Sequence, residues 1–142
     1  SCVQALLDGG ADKEAKNNDG STALMYASQS GHKSCVRALI AAGTDRDAKD
    51  NDGSTALMEA SNNGHESCVQ ALLDGGADKE AKDDAGMTAL MHASWDGHES
   101  CVQALLDADV DREAKDDSGW TALMYASIKG HEAIVSNLGV AE

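Results

Sequence analysis

Apolar residues come along this chain in two short bursts that recur every 33 positions. In one copy the first burst is Ala56-Leu57-Met58, resumed at Ala60, and the second is Cys68-Val69 followed by Ala71-Leu72-Leu73. Between them lies Gly64-His65-Glu66, and the polar stretches Asp50-Asn51-Asp52-Gly53 and Gly75-Gly76 flank the pair. The second burst makes a broad apolar stripe when wound as a helix. Thr55 stands where a helix N-cap belongs, with a hydroxyl free to accept an early backbone N–H. The Asp and Asn residues before it tolerate left-handed backbone and bond their own main chain, which marks a turn. Glu66 suits the positive end of a second helix, and Gly75-Gly76 supplies a left-handed stop. The pattern predicts turn, helix, tight loop, helix in every copy.

The interval is kept across the chain. Cys2, Cys35, Cys68 and Cys101 share it, as do His32, His65, His98 and His131, and Gly20, Gly53, Gly86 and Gly119. The chain divides into a back half-unit at 1–16, full units at 17–49, 50–82 and 83–115, and a capping-like unit that stops early at 116–142. No linker interrupts the run, so it reads as one array. Neither helix reaches the ~12–15 residues an isolated helix needs to be marginal in water. Neighbouring units must therefore bury each other's stripes, as stacked solenoids do. The predicted fold class is all-α, a solenoid of stacked helix-turn-helix units with protruding turn tips.

The string Gly53-x-Thr55-Ala56-Leu57-Met58-x-Ala60-Ser61-x-x-Gly64-His65, with Val69-x-x-Leu72-Leu73 and Gly76-Ala77-Asp78, resembles the ankyrin repeat. The resemblance extends over essentially the whole chain. It implies an ankyrin-repeat solenoid whose turn tips and first helices line a concave groove that holds a protein or peptide. It also implies that the periodic histidines tie adjacent loops by hydrogen bonds. Two departures stand out. The family's usual Thr-Pro-Leu-His is Thr-Ala-Leu-Met at Thr22–Met25, Thr55–Met58, Thr88–Met91 and Thr121–Met124, which removes a polar brace and predicts softer loops. Asp109 replaces the helix-ending glycine found at Gly10, Gly43 and Gly76, which predicts a weakened turn over Asp107–Asp111.

Composition narrows the function classes. With 25 acidic and 11 basic side chains the formal charge is −14, which argues against nucleic acid and against an anionic membrane surface. No apolar run approaches a membrane span, and nothing near Ser1 resembles a signal peptide. Aromatic residues make up only 3% of the chain, which suits a stack packed with Ala, Leu, Val and Cys and lacking a central core. The cysteines fall one unit apart on an apolar face. Stacked helices sit about 8–10 Å apart and disulfide Cα atoms roughly 4.4–6.8 Å apart, so these thiols read as buried small hydrophobes. That reading predicts a reducing, intracellular and cytoplasmic setting. Fitting an EF-hand to the Asp-rich turns puts Ala48 at the first ligand position and, in another copy, Tyr26 at the last, so no calcium site is predicted. No catalytic constellation stands apart from the repeat, so no enzyme and no cofactor are predicted. Lys16, Lys49, Lys82 and Lys115 read as counterions to neighbouring acid.

The copies themselves form an alignment inside the chain, and the positions that differ cluster. The turn tips read Asn18-Asp19, Asn51-Asp52, Asp84-Ala85 and Asp117-Ser118, and the residue after the glycine reads Ser21, Ser54, Met87 and Trp120. On the first helix three columns vary: Tyr26, Glu59, His92, Tyr125; then Gln29, Asn62, Trp95, Ile128; then Ser30, Asn63, Asp96, Lys129. Spaced i, i+3 and i+4, they share one helix face. All four aromatics of the chain lie in these columns, and interface cores are enriched in Trp, Tyr and Met. The predicted partner-binding residues are Tyr26, Glu59, Met87, His92, Trp95, Asp96, Trp120, Tyr125, Ile128 and Lys129, with the apolar ones concentrated in the last two units. The acidity favours a neutral or basic protein or peptide partner by steering its approach. Two rival readings fit the repeats. One is a structural scaffold or spacer segment of a longer repeat array, or a unit that self-associates through Val3, Leu6 and Leu7, which have no preceding helix and contrast with the polar cap at Ser136, Asn137 and Gly139. The other is an idealised repeat design with a diversified groove.

Overall fold

The computed structural model describes residues 9, 10 and 12–139, and among them all regular structure is helical. Four helix pairs follow one another: α1 (Ala23–Ser30) with α2 (Lys33–Ala41), α3 (Ala56–Asn62) with α4 (Glu66–Asp74), α5 (Ala89–Asp96) with α6 (Glu99–Asp107), and α7 (Ala122–Lys129) with α8 (Glu132–Gly139). The first helices α1, α3, α5 and α7 stack into one layer, and α2, α4, α6 and α8 into a second. This is the predicted all-α solenoid.

Each first helix starts where the sequence puts its cap. The hydroxyls of Thr22, Thr55, Thr88 and Thr121 accept the N–H of Met25, Met58, Met91 and Met124 at 3.3 Å. In α1 the Met25 sulfur also accepts the Thr22 N–H, at 3.5 Å. A thioether is a weak acceptor, so the brace expected to be missing is replaced here by a feebler one. The second helices α2, α4 and α6 each begin after a histidine whose side chain makes no cap bond.

Burial follows the columns. Leu57, Leu72, Leu105, Val36, Val69, Val102, Cys68 and Cys101 are almost fully buried between layers and between pairs. Ser28, Ser61 and Ser94 are also buried, and each donates its Oγ–H to the carbonyl four residues back at 2.7 Å. These small polar residues permit close approach without leaving a hydroxyl unsatisfied. Cys35, Cys68 and Cys101 are free thiols, while Cys2 lies outside the described residues. Burial pushes the Cys101 thiol up to about 11, helped by the negative charge of Glu66. Such a thiol is protonated and inert at neutral pH.

Polar bonds link each pair to the next. At the turn tips the N–H groups of Asn51, Asp84 and Asp117 donate to the carbonyls of Asp19, Asp52 and Ala85 at 2.9, 3.1 and 3.0 Å. The carboxylates of Glu14, Asp47 and Glu80 accept the N–H of Asp45, Asp78 and Asp111 at 3.0, 2.7 and 2.9 Å. The lysine column differs from its expected role. Lys16, Lys49 and Lys82 donate to the carbonyls of Lys49, Lys82 and Lys115 at 3.0, 2.8 and 2.9 Å. They act as struts from one unit to the next. The histidine ties match expectation at two positions: His98 Nε2 bonds the Asn62 carbonyl at 3.0 Å, and His131 Nε2 bonds that of Trp95 at 3.1 Å. These rings leave no room beside the loop glycines. A Cβ on Gly64, where φ is +78°, would fall 2.7 Å from the His98 ring.

At the ends, Val3, Leu6 and Leu7, on which self-association was expected to rest, lie outside the described residues. Ser136 and Gly139 are exposed, and the half-buried Asn137 accepts a bond from Arg112 at 3.4 Å through its carbonyl. Asp109 has φ of +69°, the only positive value at a non-glycine among the described residues, where Gly43 and Gly76 have +86° and +85°. The expected weak turn is a left-handed aspartate. Asp109→Gly relieves that strain, and the expected gain in urea unfolding is about 0.5–1 kcal/mol. An unchanged or lowered midpoint would show that the aspartate is unstrained there.

Candidate partner-binding groove

The face of the first-helix layer opposite its buried leucines carries the three varied columns, and the turn tips stand beside it. A turn residue governs one column directly. In Asn17, Asp50, Asp83 and Asp116 one side-chain oxygen closes the turn, accepting N–H groups two and four residues later at 2.9–3.0 Å. The other terminal atom is free to meet the helix residue nine positions on. Asn17 donates to the Tyr26 hydroxyl, Asp83 bonds His92 Nε2 at 2.9 Å, and Asp116 accepts the Tyr125 O–H. The second pair lacks such a bond, because Asp50 faces another acid, Glu59. Burial, and then the charge of Asp50, raise the Glu59 carboxyl above its ordinary range, against a lowering influence of His92.

These bonds aim the rings. Tyr125 lies between two tryptophans, edge-on to Trp95 with centroids 5.4 Å apart, and tilted against Trp120 at 5.2 Å. Such pairs contribute about 0.5–1.5 kcal/mol beyond their buried area. Lys129 Nζ sits 4.5 Å from the Trp95 ring centroid, a cation–π contact. Beside this cluster opens a pocket of about 660 Å³ lined by Asn62, Asn63, Met87, His92, Trp95, Asp96 and Tyr125. The volume falls in the range of sites that enclose a ligand group or a few side chains.

The ten residues singled out from sequence are therefore not all together. Met87, His92, Trp95, Asp96 and Tyr125 line one pocket, Trp120 backs Tyr125, and Lys129 covers part of Trp95. Glu59 neighbours the pocket on the helix that supplies Asn62 and Asn63. Tyr26 stands apart over a different hollow, with Ala27 and Cys35. Ile128 is 63% exposed and makes no part of the pocket wall. Sequence reasoning missed the role of Asp83 and Asp116. Their column looked like turn chemistry alone, and only the fold shows that a turn residue reaches a helix position nine residues away. Asn62 and Asn63, which lie in the varied columns but are not among the ten, also line the pocket.

The electrostatics of the Asp116–Tyr125 pair give a test. Burial alone would raise the Asp116 carboxyl, but the Tyr125 hydroxyl and the N–H groups of Trp120, Ser118 and Gly119 outweigh it and hold the carboxyl below its usual range. Burial and the same contact push the Tyr125 phenol up to about 12. A depressed carboxyl pKa contributes stability that is present above the unfolded value and is lost as pH falls through the folded one. Tyr125→Phe keeps the ring and removes the donor. The expected result is a loss of about 1–2 kcal/mol at neutral pH, shrinking as the medium is acidified through the Asp116 titration. A penalty independent of pH would exclude this pair as its source.

Comparison with protein families gives a match to a model described as ankyrin repeats (3 copies), over residues 1–83 and 76–139. Comparison with curated proteins gives no match. The matched residues span nearly the whole chain, and the helix pairs, threonine caps and histidine-tied loops lie inside them. On that ground the chain is a member of the ankyrin-repeat family.

Proposed function

We propose that this protein is a non-catalytic interaction module that holds a protein or peptide partner in the groove, anchored by the aromatic patch of the last two helix pairs. Ankyrin repeats are in general protein-interaction modules, and the finer statement rests on one observation. Trp95, Tyr125 and Trp120 form a contiguous cluster at an open pocket, and Trp95 remains 39% exposed. An exposed tryptophan costs solubility and adds little to folding, whereas interface hot spots are rich in Trp, Tyr and Arg. Polar Gln29 and Ser30 occupy the matching positions of the first pair, so the groove is asymmetric. The net charge of −14 favours a neutral or basic partner by speeding encounter. Buried, unpaired Cys68 and Cys101 support a reducing, intracellular setting. Among the described residues no helix is long and apolar enough to cross a membrane.

The test separates binding from folding. Once a partner has been captured, Trp95→Ala is expected to weaken its affinity by about 2 kcal/mol or more, roughly 30-fold, with a smaller loss of unfolding stability, about 1 kcal/mol, from the Tyr125 and Lys129 contacts. Trp120→Ala is expected to weaken binding as well, through the loss of support behind Tyr125. Affinity unchanged in both variants would sink the proposal.

A further inference from the structure

We infer that the pocket beside Trp95 receives a basic side chain of the bound segment, arginine in preference to lysine; this rests on the groove reading above and adds the identity of the anchoring group. Three independent features converge on it. One wall is aromatic, with Trp95 and Tyr125 presenting π-surface. The chain already places a cation on that surface, since the Lys129 ammonium lies 4.5 Å from the Trp95 centroid. The ring environment is therefore one in which positive charge rests favourably, and an incoming guanidinium takes the place that the Lys129 ammonium holds there.

Acceptors line the same pocket. Asp96 is an exposed carboxylate, and the Asn63 Oδ1 can accept from an incoming donor while its amide nitrogen donates to the Glu59 carbonyl at 2.8 Å. The Asn62 and Asn63 amides retain N–H donors as well, whereas His92 has its Nε2 tied to Asp83. Asp96 is thus the lining carboxylate beside the π-faces. An acidic side chain would meet it as a like charge, and a purely apolar one would leave it unpaired. A guanidinium is flat enough to stack on a ring and carries five donors in its plane, a combination an ammonium lacks. The surrounding field has the matching sign, because the chain carries 25 acidic against 11 basic residues and Glu59 stands on the adjoining helix face. The pocket volume of about 660 Å³ accommodates such a side chain with its neighbours.

The experiment needs no known partner. A random peptide library displayed on phage is selected on the immobilised full chain, and the recovered peptides are measured against the chain and against Trp95→Ala and Asp96→Asn, both substitutions at exposed positions. Circular dichroism of each variant confirms the fold. The expected result is a recurrent arginine in the peptides that need Trp95, with binding weakened several-fold when it is replaced by lysine; lysine recurring in its place would overturn the preference. Replacement of the arginine by glutamine should weaken binding about tenfold, and Asp96→Asn should weaken the same peptides several-fold. Peptides that need Trp95 but carry no recurrent basic residue would overturn this inference and leave the groove reading standing. Peptides that bind Trp95→Ala as well as the parent chain, or no binders at all, would count against both.

Discussion

Mutual burial between helix pairs is the constraint on which everything else in this molecule depends. Helices of seven to nine residues are too short to persist alone, so each takes its stability from the pair before and the pair after. The interface is made of Leu, Val, Ala and Cys at columns that repeat with few changes, among them Ile40 in a leucine column and Ile134 in the cysteine column. Burying one leucine contributes about 1.5–3 kcal/mol, and such a contact recurs at each junction. That requirement explains why the apolar columns are near-identical from pair to pair. It also explains why loop glycines such as Gly64 must lack a side chain, since the next histidine ring occupies the space.

Polar groups complete the junctions where apolar contact cannot. Threonine caps, buried serines, histidine rings and lysine struts each satisfy a main-chain group beside the neighbouring pair or within their own. Much of the acidity belongs to this framework, because Glu14, Asp47 and Glu80 hold main-chain N–H groups of the following pair. The charge of the surface is therefore partly structural. Only the face turned away from the junctions is free of these duties, and there the copies differ.

The fold was almost wholly legible in the sequence. A period carried by Cys, His and Gly columns fixes the element order, and Thr before Ala-Leu-Met fixes each helix start. Even the local fault at Asp109 could be read, because three sister positions hold glycine. The candidate site was legible in part. Differences among copies pointed to Met87, Trp95, Trp120 and Tyr125, since conformational rules leave those positions unconstrained. They did not reveal that Asp116 fixes Tyr125, that Tyr26 lines a different hollow, or that Ile128 is left out of the pocket wall. Those facts depend on which side-chain atom of a turn residue remains after the turn is closed, and on which way neighbouring helices face. Periodicity carries neither.

On the proposed reading the joined framework is uniform and recognition is confined to the aromatic end of one face. Hydrogen–deuterium exchange of the chain, free and with a captured partner, tests this. New protection is expected in peptides covering Met87–Asp96 and Trp120–Lys129, with little change over Tyr26–Ser30 or in the second-helix layer. Protection confined to α2, α4, α6 and α8, or to the first pair alone, would contradict it.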